Sequence, residues 1–569
     1  MTEERRQFGV LFRHFFSGFL EGDLISDAAD LHGPLSKAAA AIALIGLLYP
    51  FGLLFRYGRP FRDYAELDAL SWSDKSAFVT ISLVVMGLLT VIEWDALQLS
   101  QRDCRVFGAL PIRSRTILWA KLAALGRFLV ILSVPLTLLG ALTFPVIMHA
   151  GWSSGWSQGA RTMLAHVVAT LAAAWFAFFA LLAIQGLLQG VAGQRVARRL
   201  GAAIQLTATL GLVVALLMLP VIASAAAPLK REAVGLGGFA PQMWFLGIYQ
   251  TMAGRGDPDW WLLAVRGWLA LIVAAGVGIG ASVVAYRRFL GTTLDVVQGI
   301  GGGRSWVVCA LDVAGRVSAR HPAERAFFAF TALTMLRSPW HRVVLAVFLG
   351  GALALSMVTL DLATFASDGV HRVPMQIYHA LAMQCVILAI VLTGARLAAA
   401  TPAELRASWM LRLLESSEPR RWMAGFRKAV FVGLVAPVSA AMAAAMTLQY
   451  GWRTAGALGL AALAFAGLAF DTLFLGFGRV PFACPYAGGA GEVKLRGPLM
   501  AAGFSILVVP VAQLVTMAWR SDVGTAMLVA IWAVTLAVLR WRGNLAIERG
   551  GGLAFEPDEG ETQSLGLGP

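Results

Sequence analysis

Long apolar runs alternate with short polar, charge-bearing stretches along this chain. A helix needs about 20 mostly apolar residues to cross a hydrocarbon core of about 30 Å. Runs of that kind lie near residues 38–55, 77–94, 127–148, 163–189, 201–227, 261–285, 343–365, 375–395, 430–449, 454–477, 498–518 and 523–540. They predict an all-α, polytopic integral membrane protein of about twelve transmembrane helices in two six-helix halves.

The segments before each half are patterned differently. Phe8, Leu11, Phe12, Phe15, Phe19 and Leu20 recur at helical spacing, while Arg5, Arg6, Arg13 and Ser17 take the other side. A helix of this kind lies in the membrane interface with its aromatics in the acyl boundary; packing on the bundle is the plainer alternative. The segment 286–342 has a Gly301–Gly303 break, then Arg316, Arg320 and Arg325, then an apolar helix with Phe327, Phe328, Phe330, Leu333 and Leu336 running into Arg337. The expected parse is a cytoplasmic N-terminus with an interfacial helix (1–37), a first six-span half (38–285), a connector with a second interfacial helix (286–342), a second six-span half (343–542) and a disordered acidic, Gly-rich tail (543–569).

Charge orients the spans. With the N-terminus inside, about two thirds of the 46 Lys and Arg fall in inner segments, as cytoplasmic loops prefer. The outward turns keep Arg56, Arg59, Arg62, Lys75, Arg161, Lys230, Arg231, Arg255, Arg372, Arg453 and Arg520. Both termini are therefore expected in the cytoplasm of a bacterial cell, with the chain in the inner (plasma) membrane. A composition that is 58% apolar and 14% charged suits a lipid solvent, as does a mean hydropathy of +0.72. The net charge of +14 follows from the inner loops and their attraction to anionic lipids. No basic, aromatic-interleaved soluble module is present, so nucleic acid is not an expected partner. Cys104, Cys309 and Cys484 fall in inner segments and Cys385 in a span, which predicts neither a disulfide framework nor a metal site. The first apolar run begins near residue 38 without a small-residue cleavage site, so no cleaved signal is expected.

One device occurs at the same ordinal loop of each half. Between spans 2 and 3 the chain reads from Asp103 through Leu110, Pro111, Ile112, Arg113 and Arg115 to Lys121; between spans 8 and 9 it reads from Leu411 through Pro419, Arg420 and Arg421 to Lys428. Each has a short helical run, a Pro that stops it and opens the next helix, two closely spaced Arg, and a Lys at the following span. Residues 110–115 with Lys121 resemble the cytoplasmic loop of type-2 ATP-binding-cassette exporter permeases, and residues 5–20 resemble their N-terminal elbow helix. The resemblance implies that Leu110, Pro111, Ile112, Arg113, Arg115 and Lys121 form a coupling loop for cytoplasmic ATPase subunits, which would carry the ATP and magnesium. Pro419, Arg420, Arg421 and Lys428 keep the turn but lose the Leu-Pro-Ile order, so the resemblance leaves open whether this second loop couples as the first does. Membrane lipids are further partners, and a periplasmic or second membrane subunit is compatible with this assembly.

The remaining chemistry is sparse. No GxxxxGK[ST] loop and no Gly-Lys pair occurs, so ATP hydrolysis is expected on a separate subunit and no cofactor or catalytic residue in this one. Gly276, Gly278 and Gly280 lie inside a span and predict close helix packing. Asp361, Asp471, Arg127, His166, His379, Gln185, Gln384 and Gln513 are scattered without a shared stripe, which disfavours ion coupling. Asp63, Glu66 and Asp68 in the first outer loop are the acids a lipid-linked glycosyltransferase would use, but Arg56, Arg59 and Arg62 stand beside them as ordinary partners. Trp244, Tyr249 and Trp260 of the 228–260 loop, with Trp261 next to it, read as an aromatic interfacial belt. Pro481–Tyr486 reads as a turn or hinge. The expectation is a permease that moves a hydrophobic or amphipathic substrate outward under ATP drive; a lipid-linked glycosyltransferase and an ion-coupled carrier are the alternatives.

Overall fold

A computed structural model describes residues 2–18, 53, 64–97, 106–107, 110, 112–149, 156–191, 193–231, 235–254, 256–292, 306–359, 377–403, 419–475, 477–483, 508, 510–549 and 553. Among them the chain is helical and contains no strand. It divides into two compact units, Met1–Ile300 and Gly301–Pro569.

Unit 1 contains α1 (Thr2–Gly18), α2 (Tyr64–Ile92), α3 (Ser114–His149), α4 (Trp156–Val191), α5 (Gly193–Leu217), the short α6 (Leu219–Ser224) and α7 (Ala226–Arg231), α8 (Pro241–Met252) and α9 (Pro258–Thr292). Unit 2 contains α10 (Trp306–Ser318), α11 (Pro322–Arg337), α12 (Pro339–Thr359), α13 (Ile377–Ala400), α14 (Pro419–Val430), α15 (Ala436–Leu473) and α16 (Asp522–Arg549). A π-helical turn, Phe431–Val435, joins α14 to α15.

Ten described helices are long and apolar enough to cross a membrane, which makes this an all-α, multi-pass membrane protein. They match ten of the twelve expected runs. The other two, 38–55 and 498–518, lie mostly outside the described residues, as does the tail from Gly550. Several boundaries move. α3 starts at Ser114, so the loop before it feeds directly into the span. The run expected at 201–227 ends at Leu217, because the chain turns at Met218 and Pro220 opens α6. α15 is two helices folded at Gly451, whose φ of +78° is left-handed backbone that only glycine adopts without strain.

In unit 1, α4 presents Ala165, Ala169, Ala172 and Ala173 to Val79 of α2 and to Phe245, Ile248 and Tyr249 of α8. Those alanines let the helix axes approach closely. A second cluster packs Leu11, Phe15 and Phe16 of α1 against Ile117, Leu125 and Phe128 of α3. The aromatic face of α1 thus packs on the bundle, with Leu11, Phe15 and Phe16 buried and Phe8 and Phe12 half-buried against the same cluster. Phe19 lies outside the described residues.

In unit 2, α13 is the central helix, with Leu388, Leu392 and Ala395 buried among α12, α14 and α15. α11 lies across α14, and Gly425 makes that crossing possible: a Cβ there would stand 2.4 Å from the Glu324 carbonyl oxygen. Phe327 stacks on Trp422 at the same crossing, ring centroids 5.4 Å apart. Of the Pro481–Tyr486 segment the described residues 481–483 form a packed turn, with Phe482 buried and its N–H donating to Ala399 O at 2.9 Å, and 484–486 lie outside the described residues.

Candidate functional site

The turn before α3 is built by short local hydrogen bonds. Leu110 N–H donates to Phe107 O at 3.2 Å, Ile112 N–H to Leu110 O at 2.7 Å, and Thr116 N–H to Arg113 O at 2.9 Å. Two outside contacts hold it in place: Arg113 pairs with Glu4 of α1, and the Tyr286 hydroxyl of α9 donates to Ser114 O at 3.1 Å. Leu110, Arg113 and Arg115 are exposed, as is Trp119 one turn further on. Pro111 lies outside the described residues.

Lys121 faces away from the exposed side of the turn. It is buried, donates to Ala96 O at 2.6 Å and sits 5.2 Å from the Phe15 ring centroid, so it fastens α3 to α1 and to the short turn that follows α2. Arg127 covers the Phe16 ring at 4.3 Å. The exposed side chains of this loop are therefore Leu110, Arg113 and Arg115, with Ile112 half-buried against the cluster of α1 and α3 and Trp119 an exposed apolar neighbour that the sequence pattern did not single out. Its signal is an apolar side chain on the polar side of a helix start.

The corresponding segment of unit 2 has its cations engaged at home. Pro419 opens α14, Arg420 pairs with Glu548, Arg421 meets His321 at the start of α11, and Lys428 pairs with Glu324. Arg427 bonds Asp471 at 2.7 Å while Arg540 approaches the same carboxylate at 3.2 Å. Asp471 is almost fully buried, and two guanidiniums compensate it.

At the other end of α2 from the Arg113 turn, the structure joins residues the sequence left apart. Lys75, expected in an outer turn, is only 2% exposed and donates to Gln250 Oε1 at 3.3 Å. Its ammonium lies 5.4 Å from the Tyr249 ring centroid, and the Tyr249 hydroxyl is 3.4 Å from His166 Nδ1. The expected aromatic belt is corrected with it. Tyr249 and Trp260 are buried core residues and Trp244 bonds Gly238 O at 2.7 Å, leaving Trp261 exposed. The physical reason is that α8 packs as a short helix between α2, α4 and α9. Arg161 and Gln158 of α4 hold its end by donating to Met252 O at 2.7 Å and Ala253 O at 3.1 Å.

Beside this cluster, Lys230 pairs with Asp257, and the Lys230 hydrogen bond holds the Asp257 carboxyl below the usual carboxylate range. Asp63 lies outside the described residues, while Glu66 and Asp68 fall in the first turns of α2. Among the described residues no group of three His, Cys, Asp or Glu is placed to hold a metal ion. Cys309 and Cys385 are free thiols. No family model, curated protein or solved structure matches this chain.

Proposed function

We propose that this chain is the transmembrane subunit of an ATP-driven exporter of the type-2 ATP-binding-cassette kind, moving a hydrophobic or amphipathic substrate out across the bacterial inner membrane. The observation that carries this reading is the turn that exposes Leu110, Arg113 and Arg115 at the head of a single 36-residue helix. A helix of that length runs about 54 Å, longer than the hydrocarbon core. Force applied at the turn therefore moves a span, and the Glu4 and Tyr286 contacts carry the same displacement into α1 and α9.

The chain has no phosphate loop of its own, so the energy enters through a partner. An ATPase whose nucleotide states bind the turn differently would shift the unit between two arrangements by that difference in affinity. Exposed cations beside Leu110 and Trp119 supply the charged rim and apolar anchors of such a contact. The test is purification of the full chain from its native membranes, followed by identification of what remains bound. A phosphate-loop ATPase in stoichiometric amount is the expected result, and its absence under several mild detergents would overturn the proposal.

A further inference from the structure

Lys230 is held in an unusual way. Its ammonium lies 4.9 Å from the Trp72 ring centroid and 5.1 Å from that of Trp260. The two indoles meet edge to face, 5.3 Å apart at 83°, and the Asp257 carboxylate accepts from Nζ. These walls come from three places: Trp72 from α2, Trp260 from the first turn of α9, and Asp257 from just before it. Trp260 is 1% exposed and packed with Met243, Leu246 and Leu263, so the cage is rigid. It is open on one side, since the Asp257 side chain keeps 35% of its exposure.

Two crossed aromatic faces and one carboxylate are the recognition chemistry of alkylated ammonium groups, whose weak hydration favours a π surface. A lysine ammonium is compact and strongly hydrated, on a flexible four-carbon stem that leaves easily. We propose that the Trp72, Trp260 and Asp257 cage is a binding site for an alkylammonium group, and that Lys230 is a tethered occupant displaced by the ligand. Such a site requires no ATPase partner. The ligand is either a choline-type lipid headgroup or a free cationic amphiphile, both of which present the same cation.

The test uses the purified full chain in maltoside detergent, with butyltrimethylammonium as probe and calorimetry as readout. Lys230→Ala should bind the probe roughly ten-fold or more tighter than wild type, because the competing ammonium is gone. Adding Asp257→Asn or Trp72→Leu to that variant should remove the gain. Equal binding by wild type and Lys230→Ala, or no loss in the double variants, would overturn the proposal. If Lys230→Ala does not fold, the wild-type chain decides: saturating probe should increase acylation of Lys230 several-fold by peptide mass spectrometry, and unchanged labelling would reject the site. Repeating the Lys230→Ala titration in nanodiscs separates the two sources. Binding blocked in phosphatidylcholine but not in phosphatidylglycerol identifies the headgroup, and equal binding in both identifies a free amphiphile.

Discussion

The turn before α3 and the segment at the start of α14 share a proline and a pair of arginines, yet the second adds two cations, Arg427 and Lys428, that are held by carboxylates of its own unit. In unit 2, Arg420, Arg421, Arg427 and Lys428 all face partners within the unit: Glu548, His321, Asp471 and Glu324. In unit 1, Arg113 has one exposed ion pair with Glu4, and Arg115 is exposed beside Leu110 and Trp119. Arg427 and Lys428 must break a partly buried carboxylate contact to bind elsewhere, whereas Arg113, Arg115 and Arg420 are exposed and give up only water or a weak pair. Similar sequence devices therefore support different tasks. The first suits an outside partner and the second suits holding α11, α14, α15 and α16 together.

The largest expected effect lies in that second arrangement. Gly425→Leu puts a side chain into the Glu324 backbone and Phe327, so it should destabilise unit 2 by about 3 kcal/mol or more. Gly126→Ala in α3, which has nothing within 4 Å, should be neutral or stabilise by up to about 1 kcal/mol. Chemical denaturation of the two variants in the same detergent checks both; equal effects would remove the contrast.

Next is Asp471→Asn. It leaves Arg427 and Arg540 facing each other without their shared carboxylate, a loss of about 2 to 3 kcal/mol given that both arginines keep some water. A double-mutant cycle with Arg427→Met measures the coupling, and coupling near zero would mean the triad is not structural.

Arg113→Gln should cost less than about 1 kcal/mol, since its pair with Glu4 is largely exposed. Thermal melts of Arg113→Gln and Glu4→Gln check this, and a loss several times larger would show the turn to be part of the core rather than presented.

The smallest effect is a control at the far end of unit 1. Asp257 has its folded-state pKa lowered by Lys230. Its contribution is therefore fully present above the unfolded carboxylate value, about 3.9, and is lost as pH falls through the folded value. Melting temperature followed from pH 6 to pH 3 should fall less steeply in Asp257→Asn than in wild type, while Arg113→Gln leaves that difference untouched.

The spans were legible in the sequence because apolar length is set by the bilayer and needs no knowledge of neighbours. The break between the runs 430–449 and 454–477 was legible for the same local reason, and the structure places it at Gly451. The polar cluster was not. His166 and Tyr249 are 83 residues apart, and Lys75 and Gln250 are 175 apart, so no periodicity along one helix connects them. α8 escaped notice because twelve residues are too few to span, and its aromatics then read as a belt. The first turn was recognisable from Leu110, Pro111 and Arg113. That Lys121 faces inward onto Phe15 and Ala96 depends on where α1 packs, which the loop's own sequence does not encode.

The most direct test is quantitative co-purification of a phosphate-loop ATPase with three forms of the full chain: wild type, Arg115→Glu, and Arg421→Glu. Reversing an exposed charge leaves folding within about 0.5 kcal/mol, whereas loss of a desolvated charge contact costs about 2 to 5 kcal/mol of binding. The account predicts that wild type retains the ATPase, Arg115→Glu loses most of it while remaining folded, and Arg421→Glu keeps it in whatever fraction stays folded. Full retention by Arg115→Glu would contradict the account.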